Sequence, residues 1–251
     1  MKKILLIPIA ILIAGCTKPD EEPYGSEYLV LSALLVSDEP IEDIRTFYFD
    51  GAGQVSHFEL QDLSINHYHL AYENSHYILP DSTANAGSHY TISGKFNGNH
   101  VVAMIQMPPP IELMGKLSTD TITIDTDPLS TLQLVFAWTA LDTDKYSYVL
   151  MLEVLEENPQ AIPFQTEPQS SFEQSFSGPQ EQAGAVLYET DFRYYGTHRI
   201  TVFAIEKSLE EVFFFEPSDI RGLLKNGPDN VEGAMGYAAG TSKFSFEIEV
   251  E

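Results

Sequence analysis

Leu132-Gln-Leu-Val-Phe-Ala-Trp138, a turn at Asp142-Thr-Asp144, then Tyr146-Ser-Tyr-Val-Leu-Met-Leu152: this stretch decides the fold class. Leu132, Leu134, Phe136 and Trp138 fall on one side of an extended chain, and Tyr146, Tyr148, Leu150 and Leu152 fall on one side of the next. A side-chain period of two is that of a strand with one buried face, not of a helix. Ile200, Val202 and Ala204 repeat the pattern in Thr197–Ala204, and Phe244-Ser-Phe-Glu-Ile-Glu-Val250 closes the chain with it.

The same grammar governs the first half. Tyr28-Leu-Val-Leu-Ser-Ala-Leu-Leu-Val36 is an apolar run of strand length that Asp38-Glu39-Pro40 ends. Ile44–Phe49 and Val55–Leu60 flank Asp50-Gly-Ala-Gly53, a hairpin signal. Tyr68–Tyr72, His89–Phe96 and Val101–Met107 follow, with Asn97-Gly98 turning between the last two. Short strands at this spacing predict an all-β chain of two antiparallel β-sandwich domains. Pro108-Pro109-Pro110 enforces a stiff extended segment and sets the boundary. The first domain is thus expected over 27–110 and the second over 111–251.

One irregular stretch, 207–240, is expected as an insertion in the second domain. Ser208-Leu-Glu-Glu211 predicts a capping box opening a short helix, which Glu216-Pro217 ends. Asn230-Val-Glu-Gly-Ala-Met-Gly-Tyr-Ala-Ala-Gly240 is expected to run as a small-residue loop whose glycines permit tight turns and close backbone approach.

The amino terminus carries an address. Met1-Lys2-Lys3 is a basic start, and Ile4–Ile13 is apolar except for Pro8. That run is too short to span a bilayer core of roughly 30 Å, so it predicts a secretion signal over 1–15. It ends in Ile13-Ala14-Gly15-Cys16, which resembles a bacterial lipobox. The only cysteine of the chain stands where a thioether to diacylglycerol would form. Cleavage there removes Lys2 and Lys3 and no acid, taking the net charge from −24 to −26. Buried acyl chains anchor at about 0.8 kcal/mol per CH₂. Residues 16–26 then form an acidic tether. Its Lys18-Pro-Asp-Glu-Glu22 resembles the export signal that carries Bacteroidota lipoproteins to the outer face of the outer membrane.

Composition removes several function classes. With 37 acidic against 13 basic residues, the chain repels polyphosphate, and a nucleic-acid partner is excluded. Apolar residues at 43% and aromatics at 12% are too many for a disordered chain. One cysteine forbids an intrachain disulfide and any multi-cysteine zinc or iron–sulfur centre. Gly-x-Ser-x-Gly, His-Glu-x-x-His, P-loop and Cys-x-x-Cys motifs are missing, so neither catalytic residues nor a cofactor are assigned. His67 and His69, two apart, would share one face of a strand, but two ligands do not make a metal site. Asp125-Thr-Asp127 and Asp142-Thr-Asp144 could feed a calcium site, yet Asp and Thr serve turns for their own sake. No metal is assigned.

Two patches carry a family resemblance. Asn85-Ala-Gly-Ser-His-Tyr-Thr-Ile92 with Asn97-Gly98, Val101-Val-Ala103 and Met107-Pro-Pro-Pro-Ile111 is one. Pro228-Asp-Asn-Val-Glu-Gly-Ala-Met-Gly-Tyr237 is the other. Both are similar to a Bacteroidota outer-membrane lipoprotein family of unknown function, often found beside TonB-dependent receptors. The Trp138, Tyr-x-Tyr-x-Leu and Ile-x-Val-x-Ala pattern resembles fibronectin type III, although His198 stands where that fold places its corner tyrosine. The resemblance implies an immunoglobulin-like first sandwich, a fibronectin-III-like second, and a non-enzymatic accessory subunit of a β-barrel receptor for nutrient uptake. Phe213, Phe214, Phe215, Asn230, Met235 and Tyr237 are the expected partner contacts, because three adjacent rings cannot all face one core. Two rivals are a fimbrial anchor or minor pilin, which needs an exchangeable edge strand, and a glycan-binding surface lipoprotein, which needs an exposed aromatic platform.

Overall fold

A computed structural model describes residues 27–50, 54–124, 133–163, 174–214 and 230–251. The chain is all-β. In order its strands are β1 (Tyr28–Val36), β2 (Pro40–Phe49), β3 (Val55–His57), β4 (Ser64–Ile65), β5 (Tyr68–His69), β6 (Ala71–Glu73), β7 (His76–Thr83), β8 (His89–Phe96) and β9 (Asn99–Gln106). Then come β10 (Leu113–Met114), β11 (Thr121–Ile122), β12 (Gln133–Trp138), β13 (Tyr146–Val154), β14 (Gln174–Gln180), β15 (Gly184–Tyr188), β16 (Gly196–Glu206), β17 (Val231–Glu232) and β18 (Met235–Val250). The helical elements among the described residues are two short 3₁₀ helices, Glu189–Asp191 and Lys207–Phe214.

One sheet runs the length of the molecule in the order β14-β13-β16-β18-β1-β2-β7-β6. A five-stranded sheet (β17-β9-β8-β4-β5) packs on one part of it and a three-stranded sheet (β10-β12-β15) on the other. Two apolar clusters result. The first gathers Leu31, Ala33, Leu35, Ile44, Tyr77, Ile92, Ala103, Ile105 and Met107. The second gathers Leu134, Phe136, Trp138, Tyr148, Leu150, Phe192, Ile200, Val202 and Ile248. The expected inward faces of β12, β13 and β16 lie in this second cluster, except for Tyr146, which is buried outside it, and Leu132, which lies outside the described residues.

The strand that joins the two is β18. Its first part pairs in parallel with β1, from Val30 against Met235 to Val36 against Thr241. Its second part pairs antiparallel with β16, from Ile205 against Thr241 to Gly196 against Val250. The expected loop at 230–240 is therefore corrected: Val231–Glu232 adds to β9, and Met235–Gly240 is strand. The first core takes Val231 and Ala238 from this carboxy-terminal segment. The alternation that marks a strand vanishes at Ala238-Ala239-Gly240 because both faces there are buried.

Glycine makes this crossing possible. Gly233 (φ +78°) turns the chain from one sheet to the other, and a β-carbon on it would run into the carbonyl of His100. At Gly236 (φ +115°) a β-carbon would strike the carbonyl of Leu31 on the paired strand. The joint is pinned by Ser37 N donating to Thr241 O (2.9 Å), Lys243 N to Ser37 Oγ (3.0 Å) and Ser242 Oγ to Pro109 O (2.7 Å). An ion pair between Lys243 and Glu39 spans the same place.

Some turns differ from expectation. Asn97-Gly98 does close the β8–β9 hairpin, with both residues at positive φ. Tyr68–Tyr72 is divided: Tyr68–His69 belongs to the five-stranded sheet and Ala71–Glu73 to the long one. Tyr77, buried in the first core, ties down the loop before β4 by accepting from Leu60 N and donating to Leu60 O (3.2 Å). Burial raises its phenol pKa above the ordinary value.

Gly236→Ala should cost more than about 3 kcal/mol, combining backbone strain with overlap against Leu31 O. Gly98→Ala, also at positive φ but in open space, should cost only about 1–2 kcal/mol. Urea unfolding followed by far-ultraviolet circular dichroism tests both; equal losses would contradict the close approach at Gly236.

Candidate functional site

The segment singled out by sequence begins where β16 ends. The 3₁₀ helix Lys207–Phe214 crosses the outer face of the long sheet, with Leu209 buried against Ala239 beside Leu34 and Tyr237. The Glu211 side chain of the expected capping box lies outside the described residues, and contacts to the sheet tie the helix down. Ser147 Oγ donates to Glu210 Oε1 (2.6 Å), and Lys207 N donates to Lys145 O (2.9 Å). Lys207 also pairs with Glu181, which lowers the Glu181 pKa and raises that of Lys207.

Phe213 and Phe214 are the last two positions of this helix, while Phe215 lies outside the described residues, as do Glu216 and Pro217. Asn230 precedes β17 and faces the chain itself: its Nδ2 donates to Ala238 O (2.8 Å) and its Oδ1 accepts from Ala238 N (2.9 Å). Met235 opens β18 opposite Val30. Tyr237 lies opposite Ser32, and burial, only partly offset by a hydrogen bond with Ser32, raises its phenol pKa. The fold thus brings Tyr237 to the helix through Leu209, and engages both amide groups of Asn230 in the framework.

The histidine expectation is corrected. Asn66 (φ +47°) and His67 (φ +72°) form the two-residue turn between β4 and β5, so His67 is not on the strand that carries His69. Asn66 locks the turn by accepting from Thr91 N (2.8 Å) and donating to His89 O (3.3 Å). Asp142 likewise serves its turn: its Oδ1 accepts from Asp144 N (3.1 Å) and its carbonyl from Lys145 N (3.0 Å). Asp125, Asp127 and Cys16 lie outside the described residues. Among the described residues no three His, Cys, Asp or Glu side chains come together as metal ligands.

The most unusual ionisable pair sits at the start of β16. His198 is 2% exposed, stands edge-on to buried Phe192 (5.3 Å, 87°), and places Nδ1 3.0 Å from Gly196 O. Burial lowers its pKa, against the opposing pull of Gly196 O, Glu156 and Glu249. Burial alone would raise the Glu156 carboxyl, but hydrogen bonding from Thr197, whose N donates to Oε1 over 2.5 Å, and the charge of His198 bring it below the ordinary range. Gly196 (φ +110°) leaves the space this carboxylate fills. Nothing in the sequence signals Glu156; the pairing arises when β13 and β16 come into register.

No protein-family model matches the chain, and no curated protein matches it either.

An unfolded histidine takes up its proton near pH 6.5, whereas buried His198 resists protonation until lower pH. Between those values the unfolded state binds more protons, so the His198 contribution to stability falls as the solution is acidified from about pH 6.5 and levels off below the folded pKa. Urea midpoints between neutral pH and about pH 5 should decline, and His198→Phe should flatten that slope. An unchanged slope in the variant would contradict the assignment.

Proposed function

We propose that this chain is a lipid-anchored, non-enzymatic protein of the bacterial outer membrane, facing the exterior and docking on a TonB-dependent β-barrel receptor in nutrient uptake. The observation that carries the reading is Ile13-Ala14-Gly15-Cys16, with the only cysteine of the chain at the lipobox position. The acidic tether that follows fits surface export, and the resemblance of residues 85–111 and 228–237 to the receptor-associated lipoprotein family supplies the partner class. In this reading the first core belongs to an immunoglobulin-like sandwich and the second to a fibronectin-III-like one.

The topology gives the reading a direction. The tether enters at Tyr28, and β18 runs from Met235 near that end to Val250 at the other. At about 3.3 Å per residue, its 16 residues hold the far end of the second core about 50 Å beyond the anchored end. Rigid scaffolds with loops at a distal end are suited to docking. The fimbrial alternative needs an exchangeable edge strand, whereas β18 is held by β1 along its first part and by β16 along its second, which argues against it.

Palmitate labelling of the chain in a bacterial host should be abolished by Cys16→Ser, with the protein moving from the membrane to the soluble fraction. A carboxy-terminal tag should recover a stoichiometric β-barrel receptor from outer membranes solubilised in mild detergent. Retained labelling in the variant contradicts the anchor, and recovery of filament subunits contradicts the receptor assignment.

A further inference from the structure

The three-stranded sheet buries Leu134, Phe136 and Trp138 on one face and leaves the other open. Register places Met114 opposite Ala137, Val135 opposite Val186, and Gln133 opposite Tyr188 at the end of the same face. Met114 is 60% exposed, Val135 47%, Val186 41% and Tyr188 44%, and Ala137 is also exposed. No charged side chain interrupts these rows. In a chain of net charge −24, where outward strand positions elsewhere carry Arg199, Glu247 and Glu249, a mainly apolar face without charges is an exception that marks an interaction surface.

Side chains hold several backbone groups at the rim of the sheet. Ser118 Oγ accepts from Val135 N (3.0 Å), Gln180 Nε2 donates to Gly184 O (3.2 Å), and Asp191 Oδ2 accepts from Tyr188 N (2.7 Å). Side chains thus occupy backbone groups that strand addition would use. The exposed apolar side chains stand on the face of the sheet, and the face is the contact.

Charge and size select the occupant. Glu189 and Asp191 follow Tyr188 at one end of the face, and Glu112 and Lys116 flank Met114 at the other. With strands about 4.8 Å apart and residues about 3.3 Å apart, the face covers about 280 Å², well below the roughly 800 Å² per partner of a stable interface. A second copy would bring the same acidic end and too little area. Anionic lipid would meet the same repulsion. We propose that the outer face of β10, β12 and β15 docks a protein segment with an apolar centre and Lys or Arg side chains set toward Glu189 and Asp191. This inference does not rest on the anchor or receptor assignment; either can fail while the other stands.

The test uses the full chain with Cys16→Ser, labelled with nitrogen-15, and two short probe peptides of alternating Val and Tyr. One ends in a pair of lysines, the other in a pair of glutamates. Amide shifts should concentrate at Val135, Ala137, Val186 and Tyr188 with the lysine peptide, and the glutamate peptide should bind at least about tenfold more weakly. The double variant Val135→Thr, Val186→Thr keeps β-branched strand residues, so it should retain its thermal midpoint while weakening the lysine peptide about tenfold. Shifts elsewhere or none, equal binding of both peptides, or undiminished binding by the double variant would overturn the proposal. Concentration-dependent shifts of the chain alone at this face would replace the partner with a second copy. Adsorption to phosphatidylglycerol vesicles lost in the double variant would replace it with lipid.

Discussion

Everything in this molecule hangs on the pairing of β18 with two neighbours of opposite direction. From Met235 to Thr241 it is a parallel partner of β1; from Thr241 to Val250 it is an antiparallel partner of β16. Parallel pairing between the first strand and the last leaves Gly236, Ala238 and Gly240 close against the first core, where larger side chains would meet Leu31 O or the Ile105 and Met107 side chains. Beyond Thr241 the strand regains ordinary alternation, with Phe244 and Phe246 packing on the Trp138 side. One backbone thus carries two residue grammars, and the change occurs where Ser37, Ser242, Lys243 and Pro109 are hydrogen-bonded together.

How much of this was legible follows from burial. Strands with one wet face announced themselves: the Leu134-Phe136-Trp138, Tyr148-Leu150 and Ile200-Val202-Ala204 rows all reach the second core. Residues 235–240 did not, because a strand covered on both sides needs no alternation and its small residues imitate a loop. The Asn66-His67 turn hid for a different reason. His67 occupies a positive-φ position that glycine usually signals. Pro80 lies inside β7 where the pairing with β2 is irregular, between Leu79 and Thr83, so the usual objection to proline in a strand does not apply.

The candidate site was legible in part. Sequence pointed to 207–240, and the structure does gather Leu209, Tyr237, Ala239 and Leu34 there, but it uses Asn230 to bind its own backbone at Ala238. Composition could not reveal the open face of β10, β12 and β15, because Met114, Val135 and Val186 look like core residues until pairing assigns them the side opposite Leu134 and Phe136. Glu156 and His198 likewise acquire their environment only from the β13–β16 register. Long-range pairing, not local pattern, decides these sites.

Through its two pairings β18 makes the two apolar cores a single cooperative unit, which native-state hydrogen exchange can read residue by residue. Amides of Ile92, Ala103 and Ile105 report the first core, and those of Leu134, Val202 and Ile248 the second. The shared strand predicts that the slowest amides of both groups open with the same free energy, equal to that from urea unfolding followed by Trp138 fluorescence, and that Gly236→Ala lowers both groups together. A first core that opens at distinctly lower free energy while the second keeps its protection would contradict the account.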